Sequence, residues 1–224
     1  MLLARIAVTT QILAGGRFLL GLGAGYERSE FEQAGLRYPP TSARLRRLAA
    51  LARTMPRLAA GETIDDEELG LHQASVGLPP TDLPVLVGGN GDGVLRVAAR
   101  YARAVSLVGF TMGTGETDTN LSHWSWEGLR NRIEVVRHAA RDRGLPEIHI
   151  LVQFASVTNE PADAVARWLG EEPPDGYLDT PFLLVGDEEQ MGAHIARLAQ
   201  LGVTSISVFE DSADAVVPFI HRAS

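Results

Sequence analysis

The sequence predicts an α/β protein built on parallel strands. Short apolar runs without polar alternation recur between stretches of helical periodicity, and glycine-rich turns close several of those runs. Runs without alternation fit strands covered on both faces, and regular alternation of strand and helix joins parallel neighbours through crossover helices. Of the 224 residues, 45% are hydrophobic, enough to bury a core, so one folded domain over residues 1–224 is expected.

The elements follow in order. Leu3, Ile6, Ala7, Thr10 and Leu13 share one helical face, and Gly15-Gly16 stops that helix. Residues 17–22 form an apolar run closed by glycines, and residues 26–41 read as a polar loop. Thr41 or Ser42 can cap the next helix, whose apolar side carries Leu45, Leu48, Ala49, Ala52 and Met55. Residues 60–83 are acidic and rich in Gly and Pro, and Asp65-Asp66-Glu67-Glu68 within them reads as a solvated loop. A second strand at 84–87 ends in GGNGDG, and a helix with Val94, Val97, Ala98 and Tyr101 on one side follows. A third strand spans 104–108 and a Gly/Thr-rich loop 110–123. Leu129, Ile133, Val136 and Ala140 mark a long helix that ends at Gly144-Leu145-Pro146. A fourth strand is expected at 148–154. Pro161 suits the first turn of the next helix, with Val165, Trp168 and Leu169 as its apolar side, and residues 170–181 form a Pro-rich loop. Asp187 and Gln190 have the spacing of a capping box for a helix bearing Met191, Ile195, Leu198 and Ala199, closed by Gly202. A fifth strand at 203–209 and a short helical tail complete the chain.

Several function classes are excluded at this level. The net charge is −8 and the 20 basic residues are all arginine, scattered over helices, which gives nucleic acid no patch to bind. There is no cysteine, hence no disulfide, thiolate site or thiol nucleophile. The six histidines (His72, His123, His138, His149, His194, His221) form no HxxxH or HExxH pair, so no metal site is expected. No apolar stretch approaches a membrane span and no signal peptide is evident, so a cytoplasmic protein without a membrane partner is expected.

Three glycine-rich strand ends draw attention: 21–25, 88–93 and 109–115. In parallel α/β proteins the C-terminal strand ends carry the site, and glycine lets backbone approach a ligand closely. One such turn is as readily a tight bend; three on the same expected face favour a ligand. Neither of the first two clusters fits GxGxxG, because Tyr26 and Val94 stand where the last glycine belongs, and a Walker A lysine is absent. Glu27 and Glu30 lie just past the first turn as candidate proton-transfer groups or plain loop carboxylates. His123, Trp124 and Trp126 either wall a pocket or belong to the core. Gln153 is polar inside an apolar run and points to an interior layer or a cofactor mouth.

Three segments, GGRFLLGLGAGYERSEFEQAGL, PVLVGGNGDGVLRVAARYARAVSLVG and FLLVGDEEQMGAHIARLAQLGVTSISV, resemble the bacterial luciferase-like family of flavin and deazaflavin oxidoreductases. The resemblance is strongest to the branch that uses coenzyme F420. It implies a (β/α)8 TIM barrel and hydride transfer with a small organic substrate, using F420 or, alternatively, FMN as a monooxygenase. It places Gly23 and Gly25 near the ring. Gly88, Gly89, Asn90 and Gly91 fall at the ring edge, ribityl chain or phosphate, and Thr111, with Gly113, falls near the phosphate. The 110–115 loop departs from the family in offering no basic residue. The chain also opens in the helix before the family's fourth strand, so the resemblance implies an N-terminally incomplete barrel with about five parallel strands. A homodimer, with a second copy covering exposed strand edges, is then expected, and a truncated non-catalytic flavin-binding paralogue is a further reading. Substrate specificity is assigned to loops 60–83, 110–125 and 170–182. No catalytic residue is named, because the family's acid–base positions precede Met1.

Overall fold

The computed structural model describes residues 1–112, 119–121 and 123–220. The chain divides into two compact units, one made of residues 1–105 with 135–146 and the other of residues 106–134 with 147–224.

The first unit begins with α1 (Leu2–Leu13), β1 (Leu20–Gly23), α2 (Arg28–Gln33) and α3 (Thr41–Ala59). The hairpin β2 (Ile64–Asp66) and β3 (Leu71–Ala74) follows, then β4 (Val85–Gly88), α4 (Asp92–Tyr101) and the start of β5 (Ala104–Leu107). β1 and β4 are parallel, with Leu20 opposite Val85, Leu22 opposite Val87, and Gly23 opposite Gly88. Strand alternation then sorts the side chains. Leu20, Leu22, Val85 and Val87 are buried on one face, where α3 and α4 pack, while Gly21, Gly23 and Gly88 lie on the other. Each buried leucine or valine contributes about 1.5–3 kcal/mol.

Two helices turn inward a face that differs from the expected one. In α1 the buried residues are Ala4, Ala7, Val8 and Gln11, whereas Ile6 and Leu13 are 55% and 82% exposed. Gln11 sets that rotation. Its side-chain amide donates to the carbonyls of Asp82 (2.5 Å) and Gly16 (3.3 Å), and its oxygen accepts from the Phe18 N–H (2.8 Å). A buried amide with these bonds fixes the helix more firmly than apolar area free to face either way. In α4 the buried residues are Leu95, Ala98 and Ala99, with Val94 and Val97 only partly covered.

The 60–83 segment is not a plain solvated loop. Asp66 is 7% exposed and accepts from the Arg53 guanidinium (2.6 Å), the Thr54 hydroxyl (3.2 Å) and the Leu69 N–H (3.1 Å). Burial pushes its carboxyl up, but the bonds from Arg53, Leu69 and Thr54 outweigh burial and hold it below the ordinary value. The cap expected at Thr41 or Ser42 is also absent. Pro40 occupies the N-cap position, Thr41 is the first helical residue, and its hydroxyl instead accepts from Arg44 (3.1 Å).

The second unit holds the end of β5, β6 (Thr111–Met112), β7 (Thr119–Asn120), most of α5 (Trp126–Ala140), β8 (Glu147–Leu151) and β9 (Phe154–Val157). It continues through α6 (Pro161–Leu169), β10 (Leu183–Gly186), α7 (Glu188–Gln200), β11 (Val203–Ser207) and α8 (Ala213–Ile220). β8 is parallel to β11, and β9 is parallel to β10. The single strand expected over 148–154 is therefore two. The Val152 N–H donates to the Ser207 carbonyl (2.9 Å) and the next N–H, of Gln153, donates to the Phe182 carbonyl (2.8 Å), so the chain changes partner within one residue. β10 is an additional strand hidden between a Pro-rich loop and a helix cap. Asp187 and Gln190 form the capping box, and Pro161 opens α6, both as expected. Among the described residues no helix is long and apolar enough to cross a membrane.

Candidate functional site

The first two glycine turns come together in the first unit. The Gly23–Gly88 register puts the end of β1 beside the end of β4, so 23–25 and 88–91 are neighbouring turns at the C-terminal edge of the pair. Part of the space there is left open. A Cβ built on Gly21, Gly23 or Gly91 meets no atom within 4 Å. Gly21 and Gly23 are exposed, and on the face they share with Gly88 the strand pair carries the side chain of Leu86, opposite Gly21. Gly25 (φ +71°) and Gly89 (φ +139°) adopt backbone that L-residues avoid, which lets each turn leave its strand sharply.

The turn after β4 opens directly into α4. Gly91 is its N-cap and gives no side-chain bond. The first-turn N–H groups have no intrahelical partner and carry the positive end of the helix dipole, which favours an anionic group. Asn90 is 2% exposed beneath this turn. Gly93 lets the helix start close to α3, since a Cβ there would lie 2.6 Å from Leu45 Cδ1.

A basic group that the sequence pattern does not single out lies at the first turn. Arg44, in the opening turn of α3, donates through Nη1 to the Gly25 carbonyl and through Nη2 to Thr41 Oγ1, and its guanidinium lies 4.6 Å from the Tyr38 ring centroid. Arg28 faces the same ring at 4.9 Å. Arg44 Nε is buried without a hydrogen-bond partner, a donor left over in an otherwise fixed guanidinium. Its position is visible in sequence only once α3 is known to begin at Thr41.

The other sequence candidates take structural roles. Glu27 accepts from the Ser29 hydroxyl (2.6 Å) and N–H (3.0 Å), which lower its pKa and cap α2. That favours a permanent carboxylate over a group exchanging protons near neutrality. Glu30 lies exposed in the first turn of the same helix. Trp124 and Trp126 belong to the core of the second unit, 6% and 7% exposed. Trp124 donates to the Tyr177 carbonyl (2.9 Å) and stacks on Phe182 at 5.7 Å, while Trp126 packs on His194 (4.8 Å) and under Arg197 (3.8 Å). The backbone of His123 abuts Gly128. Gln153 lies at the break between β8 and β9, its amide donating to the Leu151 carbonyl (3.0 Å). The backbone of Thr111 pairs with Asn120 in the second unit, and Gly113 lies outside the described residues.

Comparison with known proteins gives a consistent relationship. A family model described as luciferase-like monooxygenase matches residues 1–173. The 5,10-methylenetetrahydromethanopterin reductase of Archaeoglobus fulgidus is 29% identical over 101 residues, a match covering 44% of this chain and 29% of that relative's length. Among solved structures, the coenzyme F420 dependent tetrahydromethanopterin reductase from Methanopyrus kandleri superposes with a TM-score of 0.62 at 14% identity, covering 92% of this chain and 72% of its own. The EDTA monooxygenase from Chelativorans sp. BNC1 superposes at 0.68 and 16% identity, covering 99% of this chain and 70% of its own. At these identities the structural likeness establishes a shared fold.

Proposed function

The chain belongs to the luciferase-like monooxygenase family, and on that premise we propose that it is an oxidoreductase that binds coenzyme F420 and acts on a small organic substrate. The observation that carries this reading is the strand face that Gly21 and Gly23 share with Gly88, where a Cβ added at Gly21 or Gly23 would enter space that no protein atom within 4 Å occupies. A flat, extended ring system can approach such a glycine-lined backbone closely. Gly23, Gly25, Gly88, Gly89, Asn90 and Gly91 would hold the cofactor, its anionic portion toward the start of α4. Arg44 supports the reading as a cation fixed beside Gly25. When bound, the deazaflavin supplies a carbon centre that takes up or gives a hydride. The residues of this chain orient it and exclude water from its face. The likeness in fold to a coenzyme F420 dependent reductase supports the deazaflavin.

The second reading is an FMN-dependent monooxygenase, its oxygenase part supported by the likeness to the EDTA monooxygenase. Fluorescence titration of the full chain with F420 and with FMN decides between them, together with oxygen uptake in the presence of reduced FMN. Tighter binding of F420 and no oxygen consumption is the expected result. Binding of neither cofactor would refute both readings.

A further inference from the structure

The second unit contains a row of three polar side chains that the glycine turns do not involve. His149, at the middle of β8, places Nδ1 2.7 Å from Ser106 Oγ on β5 and Nε2 2.8 Å from Ser207 Oγ on β11. Its strand neighbours Ile148 and Ile150 are fully buried on the opposite face, so the row occupies the less covered face of these strands. Ser106 is 7% exposed, His149 is half-buried, and Ser207 is exposed at the last residue of β11. The row thus runs from a buried hydroxyl, through an imidazole, to a hydroxyl open to its surroundings.

Two chemical features define what could meet that open hydroxyl. Burial lowers the His149 pKa below the ordinary imidazole value, which favours the neutral ring near pH 7. A neutral imidazole has one N–H and one bare nitrogen, so it donates to one serine and accepts from the other. A hydroxyl also has more hydrogen-bonding capacity than one ring nitrogen uses, which leaves Ser207 able to bond a further group. Arginine and lysine are the side chains that most strongly hold a carboxylate or phosphate, and the row contains neither.

We propose that Ser207, held in orientation by His149 and Ser106, is a binding position for an uncharged oxygen ligand, an alcohol or a carbonyl compound. His149 and Ser106 are positioning residues. A ligand carbonyl accepts from the Ser207 hydroxyl, and a ligand hydroxyl donates to its oxygen. Naming this ligand as the class of substrate rests on the oxidoreductase reading above; the hydrogen-bonding position itself does not.

The test follows the ring-nitrogen resonances of His149 by NMR in the full chain, with cyclohexanol as probe and acetate as the anionic control. Cyclohexanol is expected to move the Nε2 resonance saturably, with at least a tenfold weaker response in Ser207→Ala and a response restored in Ser207→Thr, while acetate leaves it in place. No saturable movement in the parent protein, an undiminished response in Ser207→Ala, or an equal response to acetate would overturn the proposal. Failure to bind F420 or FMN would refute the oxidoreductase reading and leave this titration unchanged, so the two can fail separately.

Discussion

The glycines at the end of β1 and the glycine after β5 look alike in sequence and differ in what surrounds them. Gly21 and Gly23 have nothing within 4 Å of a built Cβ, whereas at Gly109 (φ +80°) the same atom would lie 2.3 Å from the Phe182 ring. The first pair leaves room that the protein does not fill. The second is room already taken, by a ring that also stacks on Trp124. A glycine-rich strand end is therefore a candidate ligand site only where the missing side chain leaves space unused. Close packing elsewhere makes glycine a core residue.

Substitutions sharpen this contrast, beginning with the largest effect. Gly109→Val forces a branched side chain into the Phe182 ring at a positive φ and is expected to cost about 2–4 kcal/mol, read from urea unfolding. A loss below the error of that measurement would erase the distinction. Asp66→Asn probes a place filled by charge. It weakens the bond from Arg53 and is expected to cost about 1–3 kcal/mol near neutral pH. Because the folded-state pKa of Asp66 is lowered, its contribution is present above the unfolded carboxylate value of about 3.9 and is lost as pH falls through the lower folded value. The stability gap between parent and Asp66→Asn should therefore narrow with acidification; a gap constant from pH 7 to pH 3 would contradict the assignment.

Gly23→Val adds a side chain to open space and should leave the unfolding midpoint nearly unchanged. It should weaken F420 or FMN binding at least tenfold, about 1.4 kcal/mol, by fluorescence titration. Unaltered affinity would remove the β1 face from the site. The smallest effect is expected at Gly25, where φ is +71° and a Cβ would sit 3.1 Å from the Phe31 ring edge. Gly25→Ala should cost about 1 kcal/mol of stability, seen as a small shift in thermal midpoint.

Much of the fold is legible in the sequence where pattern and packing agree. Leu129, Ile133, Val136 and Ala140 all turn inward, as their spacing requires, and the Asp187–Gln190 box is local chemistry needing no tertiary context. Legibility ends where a distant partner decides. The burial of Gln11 depends on the Asp82 carbonyl, 71 residues away, and so the inward face of α1 was not readable from its leucines. Asp66 sits in an acidic run whose solvated character is broken only by Arg53 and Thr54 folding back onto it. The two cofactor turns are readable as glycine clusters; their adjacency depends on the β1–β4 register. Arg44 and His149 carry no local signature, because the Gly25 carbonyl that Arg44 reaches and the Ser106 and Ser207 hydroxyls beside His149 come from segments separate in sequence.

The change of strand partner at Val152 and Gln153 makes these adjacent amides into two independent clocks. The proton on Val152 is shielded by the carbonyl of Ser207, and the next along the chain by that of Phe182. Hydrogen exchange at the first reports how often the β8–β11 ladder opens, and at the second how often the segment leading into β10 lifts away. Their ratio would measure, from one stretch of backbone, whether the two parallel pairs breathe together or apart.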